Sequence, residues 1–128
     1  MKPPCVTIVK HVLPAIRVLV VKELIEKYHV RKVDASAKME LTPAAITQYL
    51  KGERGTTFID EVLRSEVMND ISKLAEILAK DDAPIESVIE KVCNICATIR
   101  SEEVLCELHQ KDLPILKESK CDLCGRPT

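Results

Sequence analysis

Apolar residues recur at helical spacing from early in the chain: Ile8, Val12, Ala15, Ile16, Leu19, Val20, Leu24 and Ile25. Pro14 lies inside this pattern, so it either kinks the helix or starts it. The spacing predicts one main helix from Leu13 to Tyr28, after an extended lead-in at Pro3 and Pro4, with His29 and Val30 as a link. A short helix is expected from Arg31 to Lys38, with Val33 and Ala37 inward. Met39, Glu40 and Leu41 then read as a turn. Thr42 is a good N-cap, its hydroxyl able to accept a backbone N–H of the next turn, and Pro43 suits the first helical position. That helix runs to Leu50 and stops at Lys51-Gly52, a C-terminal glycine signal. Beyond a loop from Glu53 to Asp60, a long helix is expected from Glu61 to Ala79, with Val62, Val67, Ile71, Leu74, Ala75 and Leu78 inward. Asp81 to Pro84 ends it, and a last helix runs from Pro84 to about Thr98 or Ile99. The remainder to Thr128 is short, charged and rich in cysteine.

Composition narrows the fold class to all-α. Only Tyr28, Tyr49 and Phe58 are aromatic, so the core must be aliphatic. Glycine occurs only at Gly52, Gly55 and Gly125. A β-sandwich or barrel needs far more turn residues than that, and a glycine-rich phosphate loop or dinucleotide fingerprint is excluded. The longest apolar stretch, Val12 to Val21, is broken by Arg17 and is too short for a membrane helix. No cleavage site follows the opening residues, so the expected location is the cytoplasm, with no membrane partner.

The net charge of −1 hides an asymmetry. Residues 1–54 carry ten Lys/Arg and five acids, a net of +5; residues 55–128 carry nine Lys/Arg and fifteen acids, a net of −6. A basic half joined to an acidic half points to a polyanionic partner for the first.

The helical pair at Arg31 to Lys51 has the form of a DNA-binding helix-turn-helix. Ala37 is small where two helices cross, Leu41 anchors the turn, and Ile46 and Leu50 bury the inner face of the second helix. The outer face is left for the major groove: Thr42, Pro43, Ala44, Thr47, Gln48 and Lys51, followed by Arg54. Gln48 can bond adenine in a bidentate way, Thr47 and Ala44 can meet a thymine methyl or a phosphate, and Lys51 and Arg54 can hold phosphates.

Residues 33–55, VDASAKMELTPAAITQYLKGERG, resemble the helix-turn-helix of lambda-repressor/Cro-type regulators, whose second helix ends in a Q-Y-L-x-G-x-R-G phrase. Over nearly its full length the chain is similar to small archaeal predicted transcription regulators. The shared features are Pro4-Cys5, the phrase Leu13 to Arg17, this motif and a cysteine-rich tail. The resemblance implies a DNA-binding regulator. One departure is Glu40, where the turn usually has Gly. Glu takes a left-handed turn at a cost of roughly 1 kcal/mol, so a turn of different shape is expected.

The tail carries the second constellation. Cys93-x2-Cys96, Cys106 and Cys121-x2-Cys124 fall within 32 residues, and two C-x2-C pairs are a strong metal signal. Cys93, Cys96, Cys121 and Cys124 suffice for zinc, which leaves Cys106 unused. An iron–sulfur cluster could draw on Cys106 as well, and it is the leading expectation, with Zn2+ as the alternative. Cys93 and Cys96 are expected near a helix end; Cys5 reads as a small buried hydrophobe, and His11, His29 and His109 as surface histidines.

Together these signals describe an all-α helical bundle with a helix-turn-helix and a small cysteine-rich metal-binding C-terminal region. Residues 1–58 form the DNA-binding domain, and residues 59–128 a helical dimerisation and metal-binding (sensor) region. The expected function is a DNA-binding transcription regulator with a redox- or metal-sensing tail. It would bind duplex DNA as a homodimer through its long apolar helices, with no small-molecule substrate. A structural zinc-binding adaptor for protein contacts is the alternative. No acid/base pair or nucleophile motif supports an enzyme.

Overall fold

The computed structural model describes residues 3–52, 66–80, 83–101, 105, 106, 109, 110 and 113–115. Among these the regular structure is entirely helical.

A continuous helical rod, α1, opens the fold. It consists of an α turn at Pro4–Thr7, a π turn at Ile8–Val12, an α segment at Leu13–Lys22 and a second π turn at Glu23–Lys27. The helix therefore starts at Pro4, not Leu13, and the expected extended lead-in is helical from its second proline onward. Pro14 accounts for the first π turn. It has no N–H, and in α register its ring collides with the carbonyl four residues back. Here the Leu13 N–H already reaches five residues back, to the Ile8 carbonyl, so the ladder is widened where the proline enters. The far end closes the same way. Tyr28 N–H donates to the Glu23 carbonyl at 3.2 Å, and Val30 N–H donates to the Leu24 carbonyl at 2.9 Å. Between them His29 takes φ 56°, giving a Schellman-type stop one residue wider than usual.

Burial runs nearly all the way round α1. Val12, Ala15, Ile16, Val18, Leu19, Val20, Val21 and Leu24 are buried. Val18 and Val21 were outside the expected inward stripe. A helix buries consecutive residues only when it has neighbours on several sides. Those neighbours are α2 (Lys32–Met39), α3 (Pro43–Leu50) and α4 (Met68–Ala79), and α5 (Ile85–Ser101) packs on α4. Ser72 Oγ donates to Glu23 Oε1 at 2.8 Å and ties α4 to α1. One aliphatic core extends from Val12 to Leu105. Each buried Val, Leu or Ile contributes roughly 1.5–3 kcal/mol relative to exposure.

Three helix expectations change. In α2 the inward residues are Ala35 and Ser36, whereas Val33 is 67% exposed and Ala37 is exposed. The small residue at the crossing is thus Ala35, because the stop at Glu40 fixes the rotation of this short helix. In the third long helix Glu66 and Val67 form a turn and α4 begins at Met68; the expected start at Glu61 lies outside the described residues. Val67, Ile71, Leu74 and Ala75 are buried as the periodicity requires. Finally, much of the apolar surface of the described residues in α1 and α4 lies in this chain's own core. The exposed large apolar residues among those described are Val6, Val9, Val33, Ile85, Ile89 and Ile115.

Truncating Leu24, which has no exposed surface, should therefore cost about 2–5 kcal/mol. Val33→Ser should stay within about 0.5 kcal/mol of the parent. Urea midpoints of the two variants measure the difference.

Candidate nucleic-acid interface and metal centre

The turn between α2 and α3 is closed by the α2 terminus itself. Leu41 N–H donates to the Ser36 carbonyl at 3.0 Å and Glu40 N–H to the Ala37 carbonyl at 3.4 Å. Glu40 sits at φ 53°, ψ 41°. So the turn keeps the left-handed residue that glycine usually supplies. The expected change of shape does not occur, and Glu40 adopts the strained conformation instead.

α3 then starts as its residues dictate. Thr42 is extended, its Oγ1 accepts the Ala45 N–H at 3.1 Å, and Pro43 occupies the first turn. Its last turn ends at Gly52, φ 75°, with Gly52 N–H donating to the Tyr49 carbonyl at 3.2 Å. Ala45, Ile46 and Tyr49 are buried, and Leu50 is half-buried against the core. The inner face is therefore carried by Tyr49 more than by Leu50.

The opposite face holds the expected recognition residues. Thr42, Pro43, Ala44 and Lys51 are exposed, and Thr47 and Gln48 are half-buried. Arg54 lies outside the described residues. Both threonines already serve the helix. Thr42 Oγ1 is the cap, and Thr47 Oγ1 donates to the Pro43 carbonyl at 3.2 Å. That leaves Thr47 its methyl and an acceptor lone pair to offer outward, whereas Thr42 can still donate its hydroxyl proton. The N-terminal end of α3 also presents the positive end of the helix dipole.

The cysteines are distributed unevenly. Cys93 and Cys96 lie three residues apart within α5, in the second half of the helix that ends at Ser101. Cys93 is exposed and Cys96 half-buried against the core. Burial pushes the Cys96 thiol up, and the neighbouring Cys93 adds to this. Two adjacent thiolates repel each other, so a nearby cation would favour ionising both. Among the described residues no group of three or more His, Cys, Asp or Glu side chains could hold a metal. Cys121 and Cys124 lie outside the described residues. Cys5 is exposed, not a buried hydrophobe, because it sits in the first turn of α1 ahead of the core. His109 is 8% exposed and belongs to the interior, contrary to its expected place on the surface.

One feature lay beyond sequence reasoning. Arg17 lines a cleft of about 340 Å³ together with Met39 and Glu40 of the turn and aliphatic residues of α4 and α5. The signal for it was present as the lone charge within Val12 to Val21.

No family model matches the chain, and no curated protein or solved structure matches it either. Among the described residues no helix is long and apolar enough to cross a membrane.

Two outcomes follow from this geometry. Thr42→Ala removes the acceptor for the Ala45 N–H and should cost about 1 kcal/mol in urea unfolding. In the metal-free chain, a thiol held protonated reacts slowly. Iodoacetamide should therefore modify Cys96 more slowly than exposed Cys93 near neutral pH, and the gap should narrow as pH rises through the Cys96 titration. Peptide mapping reads both rates.

Proposed function

We propose that the chain is a DNA-binding transcription regulator in which α3 is the recognition helix. The observation that supports this best is the division of α3. One face is buried through Ala45, Ile46 and Tyr49, while Pro43, Ala44 and Lys51 stand exposed on the other, directly after a tight turn from α2. A groove-reading helix needs such a split, with its N-terminal residues outward. The +5 balance of residues 1–54 adds sequence-independent attraction to phosphate. α2 and α3 act as the helix-turn-helix, and the functional form is a homodimer on a two-fold site.

The C-terminal cysteines are proposed to hold an iron–sulfur cluster, with Zn2+ as the alternative. Cys93, Cys96 and Cys106, with one or both of Cys121 and Cys124, would supply the thiolates of the cluster, whereas zinc would take Cys93, Cys96, Cys121 and Cys124. Because α5 packs on α4 and α4 on α1, ligation there could bias the DNA-binding half. A coupling of about 1–3 kcal/mol corresponds to a roughly 5–150-fold change in affinity.

Titration of a selected duplex by fluorescence anisotropy tests the interface. Gln48→Ala should weaken the selected site by about 1–3 kcal/mol and leave random duplex unaffected. Lys51→Ala or Arg54→Ala should weaken both duplexes alike and flatten the salt dependence. Unchanged affinity in all three variants would remove α3 from the interface. Anaerobic purification tests the metal: a brown protein with broad visible absorption marks the cluster, and a colourless zinc-loaded one marks the alternative. Cys93→Ser and Cys121→Ser should each lower the bound metal and alter affinity for the selected duplex.

A further inference from the structure

The cleft beside Arg17 opens between α1, the end of α2, α4 and α5. Its walls are aliphatic: Ile16 and Val20 from α1, Leu74 from α4, and Val88 and Val92 from α5. At about 340 Å³ it falls at the lower end of the roughly 300–1,000 Å³ that small-molecule sites occupy. On its α5 side Ile85 and Ile89, one helical turn apart, remain 55% and 56% exposed.

The charge lining this space is specific. Arg17, Lys38 and Glu40 are the charged residues of the lining. Arg17 is half-buried, and among the described residues no ion pair holds it. A guanidinium beside aliphatic walls is poorly solvated, and its fork of donors matches a carboxylate in a bidentate way.

We propose that this cleft binds a small organic carboxylate with a compact aliphatic tail. The carboxylate pairs with Arg17, and the tail lies against Val20, Val88 and Ile89. The occupant would also touch Met39 and Glu40, the turn that leads into α3. The site rests on the cleft alone and does not require the DNA-binding reading.

Octanoate is a suitable probe, and octanol is its uncharged counterpart. Calorimetric titration of the full-length chain should show one octanoate per chain, with octanol at least ten-fold weaker. The Ile85 and Ile89 δ1-methyl resonances should move on titration, while that of Ile46, which lies outside the cleft, should not. Arg17→Gln should abolish the preference for octanoate, and Arg17→Lys should restore part of it. Ile89→Trp, a change at an exposed edge, should block both probes with circular dichroism unaltered. No octanoate binding, equal binding of the two probes, or shifts that spare Ile85 and Ile89 would each overturn the proposal. DNA titration is absent from this set, so its result stands apart from that of the α3 interface.

Discussion

The fold depends on burying α1 from several directions at once. Val18, Leu19, Val20 and Val21 are consecutive, and in a helix four consecutive residues point to every side. Such a segment is unstable in water by itself and cannot be satisfied by one partner. It needs more than one neighbour: α3 and α4 pack on this segment, and α2 packs on the turn that follows it. The backbone adjusts to keep this segment continuous. The π turn at Ile8–Val12 admits Pro14, and the π turn at Glu23–Lys27 ends the helix with the Glu23 and Leu24 carbonyls hydrogen-bonded. Because α3 and α4 both rest on α1, the proposed recognition helix and the cysteine-bearing part of the chain share one support. Displacement of either flank would be felt by the other through a densely packed aliphatic layer.

Local signals were legible in the sequence, and rotations set by tertiary packing were not. Thr42, Pro43 and Gly52 act through bonds within a few residues, so the start and stop of α3 followed from residue type alone. The stripe of α4 was legible for a related reason: one buried face gives one clear period. α1 gave a misleading period because it has no single exposed face. α2 is only eight residues long, too short for periodicity to fix its rotation, and its inward face was misjudged by two positions. Cys5 and His109 were misread because burial depends on where the chain leads next, which residue type does not reveal.

Glu40 illustrates how a strained residue can still fit a turn. The Schellman closure requires a left-handed residue between Met39 and Leu41, and it brings two carbonyls of α2 their hydrogen bonds. Those bonds, and the partial burial of Met39 and Leu41 against the core, offset a conformational cost of about 1–2 kcal/mol. Glycine would remove the strain but would also loosen the unfolded chain and delete a carboxylate from the cleft lining. The choice of residue there therefore affects the charge beside Arg17 as well as the shape of the turn.

The cysteine pair on α5 follows a similar logic of local geometry against environment. Spacing of three along a helix places Cys93 and Cys96 on neighbouring positions of one face, near enough for their charges to interact. Cys96 is also partly withdrawn from water. Each condition alone favours the protonated thiol, and together they hold the Cys96 thiol above its ordinary range. A divalent metal or a cluster iron reverses that balance, because its charge replaces the missing solvation and turns mutual repulsion into shared attraction. Proton release would then accompany ligation, and metal occupancy would depend steeply on pH. α5 itself is already folded and packed on α4. If the pair binds a metal as proposed, its two thiols therefore require little ordering to do so.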